Sequence, residues 1–138
     1  MEKKVTNVTD ILKEDGVEAV DIVNFENMNS VNIEKLINKF GKKKSWAVRV
    51  TFNKRFGGVV IQQLPGEGNR KHMHPNSAEC WVILKGKWKW FIEGQGELQV
   101  SEGSIINVPA KVYHQITCIG NEPGIRFAVA APDVDHVY

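Results

Sequence analysis

The chain has 138 residues, 42% hydrophobic and 25% charged, with 18 basic against 16 acidic side chains. That length suits one domain, with enough apolar content to bury a real core without disulfide staples. A net charge of +2 is too balanced to recruit nucleic acid or an anionic membrane surface, so neither is expected as a partner.

In chain order, Thr9 can cap a short helix over 9–14 that Gly16 closes, and the run VEAVDI (17–22) reads as a short strand. A second helix rests on a clear period. Ile33, Leu36, Ile37 and Phe40 fall at i, i+3, i+4 and i+7, with Ser30 or Asn32 as the cap and Gly41 as the left-handed terminator. Lys42, Lys43 and Lys44 then form a solvated loop. From residue 45 onward the text changes to strands and turns. AVRVTF (47–52), VVIQQL (59–64), CWVILK (80–85), KWKWFIE (87–93), ELQV (97–100), SIINVP (104–109), VYHQITCI (112–119) and IRFAVA (125–130) are separated by Pro, Gly and Asn signals. The division expected is an N-terminal extension over 1–45, with one or two short helices, packed on a β-barrel over 46–138. Many short strands at even spacing specify a sandwich or barrel.

The chemistry concentrates in four residues. His72 and His74 are two apart, and side chains two apart on a strand share a face. Pro75, Asn76 and Ser77 supply a turn, Glu79 opens the next strand, and His114 arrives from a separate one. Three imidazoles and a carboxylate suit iron, manganese, nickel, cobalt or zinc. They do not suit calcium or magnesium, which prefer all-oxygen sites, and structural zinc usually uses cysteine. Four protein donors leave open positions on a six-coordinate ion, which metal-assisted chemistry requires.

The spacing of these residues resembles the cupin superfamily. Its first motif places a glycine, then H-x-H, then a glutamate and a second glycine, matched here by Gly66, His72, His74, Glu79 and Gly86. Its second motif is matched by Gly103, Pro109 and His114, with Lys111 standing where the family has glycine and Cys118 where it has asparagine. The resemblance implies an all-β fold, a double-stranded β-helix or jelly roll, with His72, His74, Glu79 and His114 as metal ligands inside the barrel. It also implies a homodimer.

Several other residues compete for a role. Trp81, Trp88 and Trp90 are read first as core or interface packing and second as the wall of a substrate pocket. Arg49, Gln62, Lys89, Tyr113 and Arg126 are polar residues in strand-like text that can meet a carboxylate, phosphate or hydroxyl. Arg49 and Gln62 lead that group as substrate-binding candidates, because apolar neighbours flank both. Cys118 reads as a small buried hydrophobe, Cys80 and Tyr113 should point away from the site, and His136 is expected to be a solvent-exposed tail residue.

Two widely spaced cysteines make neither a disulfide framework nor a zinc ribbon. The N-terminus has no apolar stretch like a signal peptide, and no run approaches bilayer length, so the cytoplasm is the expected compartment. The expected function is a metal-dependent enzyme acting on a small polar molecule, sugar-like or carboxylate, by isomerase, epimerase or lyase chemistry. An iron- or nickel-dependent dioxygenase is the second reading, and a non-enzymatic small-molecule-binding module the third.

Overall fold

The computed structural model describes residues 4–5, 15–19, 25–132 and 134–138. The expected helix over 9–14, the end of the expected strand over 17–22, and Asp133 lie outside these. Twelve strands and one helix are described: β1 (Lys4–Val5), β2 (Glu18–Ala19), α1 (Ile33–Phe40), β3 (Trp46–Phe52), β4 (Gly57–Gln63), β5 (Gly68–His72), β6 (Glu79–Lys85), β7 (Lys87–Ile92), β8 (Gly96–Ser101), β9 (Ile105–Val108), β10 (His114–Ile119), β11 (Gly124–Ala130) and β12 (His136–Val137). They form a six-stranded sheet in the order β2-β3-β4-β11-β6-β9, a four-stranded sheet in the order β5-β10-β7-β8, and the pair β1-β12. Every pairing is antiparallel except β2 with β3. This is the expected all-β jelly roll. Among the described residues, no helix is long and apolar enough to cross a membrane.

Alternation along the strands decides what lies between the sheets. Trp81 and Ile83 from β6 meet Trp88, Trp90 and Ile92 from β7 and Ile116 and Cys118 from β10 in one buried cluster. The rings of Trp81 and Trp90 pack edge to face at 5.3 Å. A second cluster lies on the other face of the six-stranded sheet, where Leu36 and Ile37 of α1 cover Trp46, Val48, Val60 and Ile125. Asn32 caps the helix by accepting from the N–H groups of Glu34 and Lys35, and Gly41 ends it at φ +87°.

Two turn positions hold left-handed backbone, one at the end of β6 away from Glu79 and one beside His74. Gly86, between β6 and β7, has φ +83°, and a Cβ there would lie 2.8 Å from Gly124 Cα. Lys111, where the family pattern has glycine, takes the same left-handed region at φ +69°. Its N–H donates to the His74 carbonyl at 2.7 Å.

Candidate metal centre

The sheet register brings the histidines together. β5 and β10 pair so that His72 lies directly opposite His114, with ring centroids 4.3 Å apart. His74 follows just beyond β5, its ring 5.0 Å from His72 and 5.1 Å from His114. Glu79 opens β6 in the facing sheet and reaches across, where its Oε1 lies 2.7 Å from His74 Nε2.

The fourth histidine of the chain joins them. β12 forms two backbone hydrogen bonds with Met73, N–H to carbonyl in both directions at 3.0 Å. His136 is thereby set beside His74 at 4.4 Å and stacked on His72 at 4.7 Å. This corrects the expectation of a solvent-exposed tail histidine. The alternation His136-Val137-Tyr138 mirrors His72-Met73-His74, and that was the available signal. It was hard to read, because a two-residue strand has too little text to show a period.

Two overlapping groups of donor atoms result, each within 4.8 Å: His72, His74 and His136, and His74, Glu79 and His114. All four imidazoles are oriented in the same way. Nδ1 of His72, His74, His114 and His136 meets the carbonyls of Arg70, Asp135, Val112 and Val134 at 2.6, 2.9, 3.1 and 3.3 Å. A carbonyl can only accept, so in each neutral ring Nδ1 carries the hydrogen and Nε2 keeps its lone pair. His114 Nε2 is buried with no hydrogen-bond partner. An orphaned lone pair at a wall of histidines fits a borderline metal ion, and the backbone carbonyls are the outer partners that such ligands commonly have.

Burial keeps most of this set uncharged. It drives the His72 pKa down to about 2, with the neighbouring His114 and His136 adding to the effect. Burial, then His74, pushes His136 down to about 4. His114 is also lowered by burial, although Glu79 opposes. His74 differs: burial acts to lower it, but the hydrogen bond and attraction of Glu79 outweigh burial and raise it. In return His74 holds Glu79 below the usual carboxylate range against the effect of burial.

The cluster lines a cavity of about 100 Å³, which His72, His74, Glu79, His136, Trp81, Asn69 and Arg126 share with small residues of β4 and β11. Arg49 stands at its edge, paired with Glu26 at 2.8 Å and stacked over Phe52 at 3.9 Å. Gln62 lies elsewhere. Its amide donates to the carbonyls of Gly41 and Lys44 at 2.9 Å each, tying down the loop after α1. Its neighbours on β4 point inward, so alternation turns Gln62 out. Trp81 lines the cavity, whereas Trp88 and Trp90 pack in the core beneath it. Cys118 is fully buried in that core, and Cys80 is half-buried.

The model of the Cupin domain matches residues 59–129. The chain belongs to the cupin family. No curated protein matches this cupin in sequence. It is similar in structure to a Klebsiella pneumoniae protein with a double-stranded β-helix domain, at 19% identity and a TM-score of 0.65, covering 77% of this chain and 91% of that one. It is similar also to an RmlC-like cupin of Methanocaldococcus jannaschii, at 27% identity and a TM-score of 0.59, covering 66% and 83%. A sugar phosphate isomerase of the cupin superfamily from Silicibacter pomeroyi matches at 22% identity and a TM-score of 0.52. That match covers 56% of this chain and half, 50%, of the other.

Proposed function

We propose that this cupin is a metal-dependent enzyme acting on a small polar molecule by isomerase, epimerase or lyase chemistry, with His72, His74, Glu79 and His114 as the metal ligands. The observation that carries the reading is the common orientation of the imidazoles, each with Nδ1 on a backbone carbonyl and Nε2 turned into the cluster, on Glu79 in His74 and without a partner in His114. A first-row divalent ion held there would supply Lewis-acid polarisation of a substrate oxygen.

The chain's own residues do the rest. Trp81 and the small side chains of β11 shape the cavity. His136 faces the same space, with Nδ1 on the Val134 carbonyl, so that Nε2 can accept a hydrogen bond from a substrate hydroxyl. The likeness to a sugar phosphate isomerase supports this class of reaction. Two unpaired cysteines fit a cytoplasmic protein, and cupin membership supports a homodimer, which sedimentation measures directly.

The test is metal content after purification without added metal, together with calorimetric titration of manganese, iron(II), nickel, cobalt and zinc into chelator-treated protein. One equivalent should bind, and His114→Ala should weaken it at least tenfold. No uptake, or uptake untouched by His114→Ala, overturns the reading. Oxygen consumption with the restored metal would move the assignment to the dioxygenase class. Ligand binding without turnover would move it to a binding module.

A further inference from the structure

Arg126 sits on β11 with 1% of its surface exposed, deeper in the cavity than any other cation. Its Nη2 donates to Gln63 Oε1 and Asn69 Oδ1, each at 3.0 Å, and both acceptors are neutral amides. Its Nε is buried with no partner. The guanidinium lies 5.4 Å from the Trp88 ring and 6.0 Å from that of Trp90. Among the described residues, no carboxylate comes within ion-pair distance of it. The two carboxylates that act on it from farther away are both engaged: Glu79 with His74 at 2.7 Å, and Asp15 with Arg70 at 3.1 Å. Arg49, the other arginine on the cavity, is already paired with Glu26. Arg126 is therefore a buried positive charge that neutral groups alone touch, two amides and two indole rings, and burial of a charge is costly unless something compensates it.

Arg126 lines the same cavity as the histidine cluster. On β11, Arg126, Ala128 and Ala130 share the inner face, and Ala130 pairs in register with Glu79. Four residues of strand span roughly 13 Å. The two alanines present only methyl groups to the cavity of about 100 Å³ that Arg126 shares with His72, His74 and His136.

We propose that Arg126 is the anion-binding residue of the cavity, receiving the carboxylate or phosphate group of a small ligand whose other oxygens face the histidine cluster. For the far end of the ligand this rests on the metal-centre reading above; for the anionic end it rests on Arg126 alone. Planar guanidinium N–H groups match a two-oxygen acceptor, which an ammonium does not. A substrate class follows: small oxyacids or their phosphate esters, and not neutral sugars.

The test uses chelator-treated protein, so that anion binding is read without metal. Thermal shift and calorimetry are run with inorganic phosphate, with glycerate as the carboxylate probe, and with glycerol as the neutral control, all at constant ionic strength. Wild type should bind at least one of the two anions and not glycerol, and the anion that binds identifies the source. Arg126→Met should lose that binding more than tenfold while keeping the wild-type fold and a melting temperature no lower than wild type without anion, because it removes an uncompensated buried charge. Arg126→Lys, which keeps the charge, should bind with intermediate affinity and covers the case in which the methionine variant does not fold. Binding of neither anion by wild type, or equal binding by all three proteins, overturns the proposal. Metal titration of the same proteins is a separate readout: loss of metal uptake by wild type would sink the metal-centre reading and leave the anion result standing.

Discussion

At the residue scale, two backbone positions show how turns of the barrel are held, one far from the site and one beside His74. Gly86 at φ +83° sits against Gly124, and a side chain there would meet both strain and a steric block. Left-handed backbone costs an L-residue roughly 1–2 kcal/mol before any clash is counted. Lys111 already carries that cost at φ +69°. Lys111→Gly keeps the N–H that bonds the His74 carbonyl, relieves the strain, and gives back part of the gain as unfolded-chain entropy. Denaturant melts should show Gly86→Ala destabilised by at least about 1–2 kcal/mol and Lys111→Gly stabilised by about 0.5–1 kcal/mol. A destabilised Lys111→Gly would mean that the lysine side chain contributes something that its backbone does not reveal. These residues also mark what the sequence made readable. The spacing from Gly66 to His114 located three histidines and Glu79, because fixed spacing on strands is a one-dimensional signal. Arg126 was visible only as one polar residue among several, because its lack of a counter-ion depends on Gln63, Asn69 and Glu79, which come from three other strands.

At the element scale, the barrel strands from β3 to β11 could be read from their β-branched and aromatic runs, with bounds within a residue or two. β5 and β12 could not. β5 is the polar run GNRKH, whose strand character comes only from pairing with β10. β12 is held by Met73 and by the ion pair of Lys4 with Asp135 at 2.8 Å. Yet β12 does more for the site than its length suggests. It buries Val137, delivers His136, and its neighbour Asp135 supplies the carbonyl that orients His74. Removing residues 134–138 should therefore weaken metal binding by about 10–100-fold, the usual effect of losing an outer partner of a ligand. Burial of one valine also goes, so stability should fall by about 1.5–3 kcal/mol. Val137→Ala should reproduce part of the stability loss with little change in metal affinity. Calorimetric titration and melts on the two variants separate these effects. Unchanged metal binding in the truncated protein would show that β12 merely covers the site.

At the scale of the whole molecule, gathering all four histidines into one cluster, three of them buried and His136 partly so, makes global stability depend on pH. In the unfolded chain each titrates near 6.5. In the folded protein His72 is held down to about 2 and His136 to about 4, and His114 is also lowered. A group whose folded pKa lies below its unfolded one binds fewer protons when folded. Acid then favours the unfolded chain, and stability falls as pH drops through 6.5 toward the folded value. His74 acts in the opposite direction, since its raised pKa adds stability at low pH that is lost as pH rises. Three lowered groups against one raised leave a net loss on acidification. Each unopposed group contributes up to about 1.4 kcal/mol per pH unit. Between pH 6.5 and 5 most carboxylates stay ionised, so the histidines dominate this window. The melting temperature of chelator-treated protein should fall steadily from pH 7 to pH 5, and His72→Gln should flatten the slope. A metal ion should deepen the dependence, because it binds only the neutral imidazoles and protons compete for the same Nε2 atoms. A melting temperature that holds constant or rises toward pH 5 would show that the cluster accepts protons in the folded state, and so is too open to water for the burial described here.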